Sequence, residues 1–267
     1  MAVDLAYAER GAGPPIIILH GLFGAGRNWA SIAASLADRH RVVTVDLRNH
    51  GESPWAEPHD YPALADDVAR LIERLVARPA DVVGHSMGGK AAMVLALDRP
   101  EVVERLVVVD IAPARSLNPA GGYVRAMRAV PLATCTGRTD VEAALTDAIP
   151  DAAMRRFLTL NLRSGPDGLR WPNNLEALER HMESILSFPT YPPGRTFTKP
   201  TLFVAGGRSQ YLRPEHRPEI ERLFPRARFA VIENAGHWVH ADAPGPFIET
   251  VSRFLGQDFE GLPIEGS

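Results

Sequence analysis

Gly84-His85-Ser86-Met87-Gly88 carries the G-x-S-x-G pattern, and its surroundings decide what that pattern means. Asp81-Val82-Val83 before it reads as a strand, and Met87–Asp98 after it reads as a helix. A chain that passes from strand to helix at one residue turns sharply there, in a strained backbone conformation. Side chains two residues before and after Ser86 would crowd the turn, which accounts for Gly84 and Gly88. Gly89 adds room for the helix to pack close to the sheet. The turn lifts the hydroxyl above the sheet edge and sets the Met87 N–H at a helix N-terminus, where negative charge is favoured. A serine placed in this way is a nucleophile for acyl transfer if a base and an orienting acid stand beside it.

Of nine histidines, only His181, His216, His237 and His240 follow Ser86 at a distance. His181 falls in a helical stretch and His216 near a helix start. His237 follows the last strand by the short loop Glu233-Asn234-Ala235-Gly236, and loops at strand C-termini are where such sheets assemble sites. His237 is therefore the expected base, with His240 the runner-up. The loop after the strand Thr201–Ala205, Gly206-Gly207-Arg208-Ser209-Gln210, holds no carboxylate, and Ser209 stands where an aspartate is expected. One strand earlier, Leu106–Val109 ends in Asp110, the expected acid. Glu233 and Glu183 remain alternatives, and Asp110 has a second possible role as a cap of the turn into Ile111-Ala112-Pro113.

The turn His20-Gly21-Leu22-Phe23-Gly24 follows the buried run Ile16–Leu19 and offers a second oxyanion donor, the amide of Leu22 or of Phe23, beside that of Met87. His20, Asn28, Trp29, His85 and Trp238 are the expected pocket lining, with packing an equal role for Asn28, Trp29 and Trp238. Asp46 and Arg48 are expected to pair and brace a loop beneath the site. Lys90 reads as structural, with attraction of an anionic substrate as its alternative role.

The elements that would position these groups alternate. Strands at 16–19, 41–46, 81–83 and 106–111 are separated by helices at 28–39, 60–77 (capped by Asp60) and 87–98. Near-continuous apolar strands of this kind imply a parallel sheet covered on both faces. From 114 to 198 no strand is expected. Helices at 119–129, 140–148, 151–162 and 174–188, punctuated by glycine and proline, make an inserted helical unit. The sheet resumes with strands at 201–205 and 228–232 and helices at 214–224 and 244–255. The expected organisation is a core of 1–113 and 199–257, an inserted helical cap of 114–198, and a poorly ordered tail of 258–267.

Composition narrows the remaining classes. The 267 residues include 29 basic and 32 acidic side chains, a net charge of −3, and the arginines form no run, so a nucleic-acid partner is not expected. Only Lys90 and Lys199 are lysines. The single cysteine, Cys135, makes neither an internal disulfide nor a structural zinc site. No secretory leader is read at Met1–Arg10 and no apolar run approaches a membrane span, so a cytoplasmic enzyme is expected, as monomer or homodimer.

GHSMGGK, DLRNHGES, VDIAP, the stretch Gly206–Tyr211 and NAGHWVHAD at 234–242 together resemble one branch of the α/β-hydrolases, which holds the YbfF-type bacterial esterases and an animal mitochondrial abhydrolase-domain protein. The resemblance covers nearly the whole chain. It implies the α/β-hydrolase fold with a helical cap over the site, and hydrolysis of small acyl esters or thioesters without metal or organic cofactor. It likewise sets nucleophile, base and acid on Ser86, His237 and Asp110. An acyltransferase with the same three residues and a non-catalytic binding member of the fold are the rival expectations.

Overall fold

The computed structural model describes residues 1–76, 78–116, 119–166 and 168–256. The chain runs β1 (Tyr7–Arg10), β2 (Pro15–Leu19), α1 (Ala30–Leu36), β3 (Arg41–Val45), α2 (Tyr61–Leu75), β4 (Ala80–His85), α3 (Met87–Asp98) and β5 (Val103–Val109). An inserted segment follows, with α4 (Ala120–Ala129), α5 (Arg138–Ala144), α6 (Ala152–Leu160), β6 (Arg163–Gly165), β7 (Gly168–Arg170), α7 (Leu175–Arg180) and α8 (Met182–Leu186). The chain then returns through β8 (Thr201–Gly206), α9 (Arg217–Leu223), β9 (Ala227–Ile232), α10 (Val239–Asp242) and α11 (Pro244–Gly256).

Seven of the described strands form one sheet in the order β1-β3-β2-β4-β5-β8-β9, with β1 antiparallel and the rest parallel. The strand period of two divides its core in half. Ile17, Leu19, Val43, Val82, Leu106 and Val108 pack with α2 and α3, while Ile16, Ile18, Val42, Val83, Val107 and Val109 pack with α1 and α11. Each such side chain contributes about 1.5–3 kcal/mol on leaving water, so the strand ends are held by the core and not by the loops after them. Parallel register then brings Leu19 beside Gly84, His85 beside Val109, and Gly206 beside Ile232, all at one edge.

The expected parallel α/β architecture is present, with local differences in several elements. β1 is an edge strand whose residues are all exposed, so it shows no apolar alternation. β6 and β7 form a hairpin inside the segment read as wholly helical, because three-residue strands are too short to show a period. The helix expected at 174–188 breaks at His181 into α7 and α8. The helix expected at 28–39 begins with a 3-10 turn over Gly26–Trp29 and ends at Leu36. Asp60 caps α2 as expected, accepting from the Ala63 N–H at 2.9 Å. Ala77, the expected end of that helix, and the expected tail at 258–267 lie outside the described residues. No helix among the described residues is long and apolar enough to cross a membrane.

The expected Asp46–Arg48 pair does not form. Arg48 forks onto Asp67 of α2 at 2.6 and 2.7 Å, with both side chains fully buried. Asp46 instead accepts the N–H groups of Gly26 and Glu52. Its short carboxylate satisfies orphan backbone donors, whereas the long guanidinium reaches a helix that sequence spacing does not place nearby.

At the opposite edge of the sheet, Asp81 at the start of β4 is buried with Oδ1 unpartnered among the described residues, and burial pushes its pKa up to about 6. The folded chain therefore holds a proton that the unfolded chain releases between about pH 4 and 6. Its carboxyl costs stability as pH rises through that window. Asp81→Asn is expected to stabilise by on the order of 2 kcal/mol at pH 8 and by almost nothing below about pH 4. Thermal unfolding at the two pH values checks this; an equal change in Tm at both would contradict it.

Candidate active site

Ser86 stands between β4 and α3 with φ 53° and ψ −118°, the strained elbow expected of it. The expected crowding across the turn is present at Gly84, where a Cβ would meet the Gly88 carbonyl oxygen at 2.3 Å. Gly88 has a further reason, since a Cβ there would meet the carbonyl oxygens of Leu19 and His20 at the end of β2 at 2.6 and 2.5 Å. The glycine lets the elbow press against the neighbouring strand.

His237 follows β9, and its ring joins the other two residues. Nε2 lies 3.1 Å from Ser86 Oγ and Nδ1 lies 2.7 Å from Asp110 Oδ2. Asp110 is fully buried at the end of β5, in a left-handed conformation with φ 52°. Its other oxygen accepts the Gly206 N–H at 3.0 Å, and Ser209 Oγ donates to Oδ2. The serine found where an aspartate was expected thus orients the displaced carboxylate. Gly206 has a steric reason as well, since a Cβ would meet the Gly236 carbonyl oxygen at 2.2 Å and push the histidine loop away. Neither alternative acid is in place. Glu183 is exposed on α8 and pairs with Arg115, and Glu233 is exposed in the turn packed on Gly207.

His85 holds the backbone of His237. Burial holds its pKa well below the usual imidazole value, and Nε2–H donates to the His237 carbonyl at 2.8 Å. His240, the runner-up base, is stacked on Trp29 at 3.9 Å, and burial lowers its pKa to about 3. Tyr211, which the sequence reading placed in the motif Gly206–Tyr211 but gave no role in the site, stacks on the His237 ring with centroids 3.8 Å apart.

The two expected oxyanion turns are both at the edge, but one of their amides is spent. The Phe23 N–H donates to His50 Nε2 at 3.2 Å, so Phe23 is not a donor to substrate. Burial keeps His50 neutral, and its Nδ1–H bonds the Arg48 carbonyl, leaving Nε2 to accept. Leu22, which lines the cavity at Ser86, and Met87, the first residue of α3, remain the expected donors.

Of the five expected lining residues, the structure keeps two. A narrow cavity of about 50 Å³ at Ser86 is walled by Leu22, Phe23, His85 and Trp238 from the core and by Tyr123, Met154 and Phe157 from the inserted segment. Trp238 meets Phe157 at a ring separation of 4.9 Å. His20 is buried and holds backbone instead, with Nδ1 on the Gly21 carbonyl and Nε2 accepting from Leu47. Trp29 is 1% exposed in the core against α11. Asn28 bridges to the inserted segment through Asn161, which also donates to the Phe23 carbonyl at 3.1 Å. Size and polarity do not distinguish a wall from such a latch in sequence. Lys90 is a second latch: Nζ donates to the carbonyls of Leu186 and Ser187 at the end of α8, and Tyr61 donates to that of Ile185.

The Ser209 hydroxyl is testable alone. Ser209→Ala removes one donor from a buried carboxylate but leaves Gly206 and His237 on it, a change of about 1.5 kcal/mol. A roughly tenfold fall in kcat is expected in ester hydrolysis assays; unchanged kcat would mean that two donors suffice.

A family model described as "Alpha/beta hydrolase family" matches residues 16–250. The chain is 42% identical over 250 residues to the sn-1-specific diacylglycerol lipase ABHD11 of Mus musculus, covering 91% of this chain and 81% of that one. It is 34% identical over 242 residues to esterase YbfF of Escherichia coli K12, covering 90% and 92%. A solved structure, "Marine microorganism esterase", superposes with a TM-score of 0.90 at 34% identity, covering 95% of this chain and all of the other.

Proposed function

The chain belongs to the α/β-hydrolase family, and from that premise we propose that it hydrolyses short acyl esters, and thioesters by the same route, with Ser86 as nucleophile, His237 as base and Asp110 as orienting acid. The observation that carries this reading is the unbroken chain of contacts from Ser86 Oγ through the His237 ring to the buried Asp110 carboxylate. His237 Nε2 takes the hydroxyl proton as Oγ attacks the acyl carbonyl. The amides of Leu22 and Met87 hold the oxyanion, the latter at the N-terminus of α3. His237 then gives the proton to the leaving oxygen or sulfur, and the acyl group stays on Ser86. Water, deprotonated by His237, attacks the acyl-enzyme, and His237 returns that proton to Ser86 Oγ as the acid is released.

The inserted segment, 114–198, acts as a cap over a core of 1–113 and 199–257. Tyr123, Met154 and Phe157 crowd the nucleophile from that side, and the narrow space left favours short acyl chains. A series of p-nitrophenyl esters from acetyl to decanoyl tests this. kcat/KM is expected to be highest at two to four carbons, roughly, and to fall beyond, with Phe157→Ala moving the optimum to longer chains. A flat or rising profile would contradict the short-chain reading.

A further inference from the structure

Next to the Ser86 cavity is a larger one of about 270 Å³, lined by Arg115, Ser116, Gln210, Tyr211, Arg213 and His216. Tyr211 is the wall between the two, lining both and stacking on the His237 ring. We propose that this second cavity binds an anionic group, phosphate or carboxylate, carried by the leaving alcohol or thiol of the substrate. The inference rests on the hydrolase reading above and names the substrate class that goes with it.

Position supports it first. The leaving group takes its proton from His237 Nε2, so it departs on the histidine side of the serine. The space on that side lies past Tyr211, whereas the walls around Ser86 are mostly apolar and suit the acyl chain. Charge supports it second. Two guanidinium groups line the cavity and no carboxylate does. The partners of those arginines, Glu183 for Arg115 and Glu215 for Arg213, lie outside the lining. Such exposed pairs are worth about 0–1 kcal/mol, so they yield to a better-placed anion.

Unused donors support it third. Arg213 Nε is buried with no hydrogen-bond partner among the described residues. The Arg213 backbone N–H donates to His216 Nδ1 at 3.1 Å, which places the neutral ring's proton on Nε2 as a further donor. Gln210 and Ser116 add neutral donors suited to phosphate or carboxylate oxygens.

The test uses three butyryl esters that share a three-carbon leaving group: those of 1,3-propanediol, 3-hydroxypropionate and 3-hydroxypropyl phosphate. At low ionic strength the protein is expected to show kcat/KM about tenfold higher for at least one anionic ester than for the neutral one. Comparing the carboxylate and phosphate arms tells which anion the cavity takes. Arg213→Ala is expected to lower the anionic-to-neutral ratio about tenfold, and Arg213→Lys to lose less because it keeps the charge. Turnover of the neutral ester reports that each variant is folded. A ratio of one in the unmodified protein, or a ratio that Arg213→Ala leaves in place even when combined with Arg115→Ala, overturns the proposal while hydrolysis through Ser86 still stands. Absence of Ser86-dependent hydrolysis of all three esters overturns both.

Discussion

Ser86→Ala is expected to lower kcat on short p-nitrophenyl esters by on the order of 10^4–10^6-fold. The substitution removes Oγ and nothing else that the fold needs. Ser86 forms no side-chain cap on α3, and its backbone already stands at φ 53°, a strain that alanine inherits unchanged. The Leu22 and Met87 amides, the apolar walls and the His237–Asp110 contact all persist, so KM is expected to change little while kcat collapses. Residual catalysis would come from the oxyanion donors alone. Steady-state kinetics with active-site titration, to exclude traces of unmodified enzyme, checks the result; a loss under about tenfold would remove Ser86 from the chemistry.

The second large effect concerns the acid. Asp110→Asn is expected to cost about 10^3–10^4-fold in kcat, and the surrounding donors explain why. The Gly206 N–H donates to Oδ1 at 3.0 Å and needs an oxygen, not an NH2, at that position. It therefore turns the asparagine so that the NH2 replaces Oδ2, facing His237 Nδ1. An N–H donor there forces the imidazole proton onto Nε2, the nitrogen that must accept from Ser86. The fold tolerates the change because asparagine adopts the left-handed conformation of residue 110 readily. Kinetics on the purified variant, with a thermal melt to establish folding, distinguishes this from collapse. Near-normal turnover by a folded variant would move the acid elsewhere.

Much of this arrangement was legible in the sequence because it depends on local pattern. The run Ile16–Leu19, the elbow at Ser86 and the loop before His237 each announce an element and its C-terminal end, and parallel register does the rest. Asp110 was legible by elimination, since the later loop offered only Ser209. That Ser209 would bond Asp110 was not, because a contact across 99 residues leaves no local trace. The same holds for Tyr211 on His237, Arg48 on Asp67, and the Phe23 amide on His50. Lining residues were read least well. Trp29 and Asn28 follow a loop at the correct edge, yet one turns into the core against Phe247 and the other ties down Asn161. Direction of a side chain off a short 3-10 turn depends on what packs against it, and that partner comes from elsewhere in the chain.

The central claim is that one serine of this chain becomes covalently acylated. A fluorophosphonate reacts with an activated serine and leaves a stable adduct, so peptide mapping after labelling reads the nucleophile directly. One label per chain is expected, on the peptide containing Ser86, with none on Ser86→Ala and slow labelling of His237→Ala. A label mapping to any other residue, or an unmodified Ser86 after prolonged exposure of folded protein, would contradict the account.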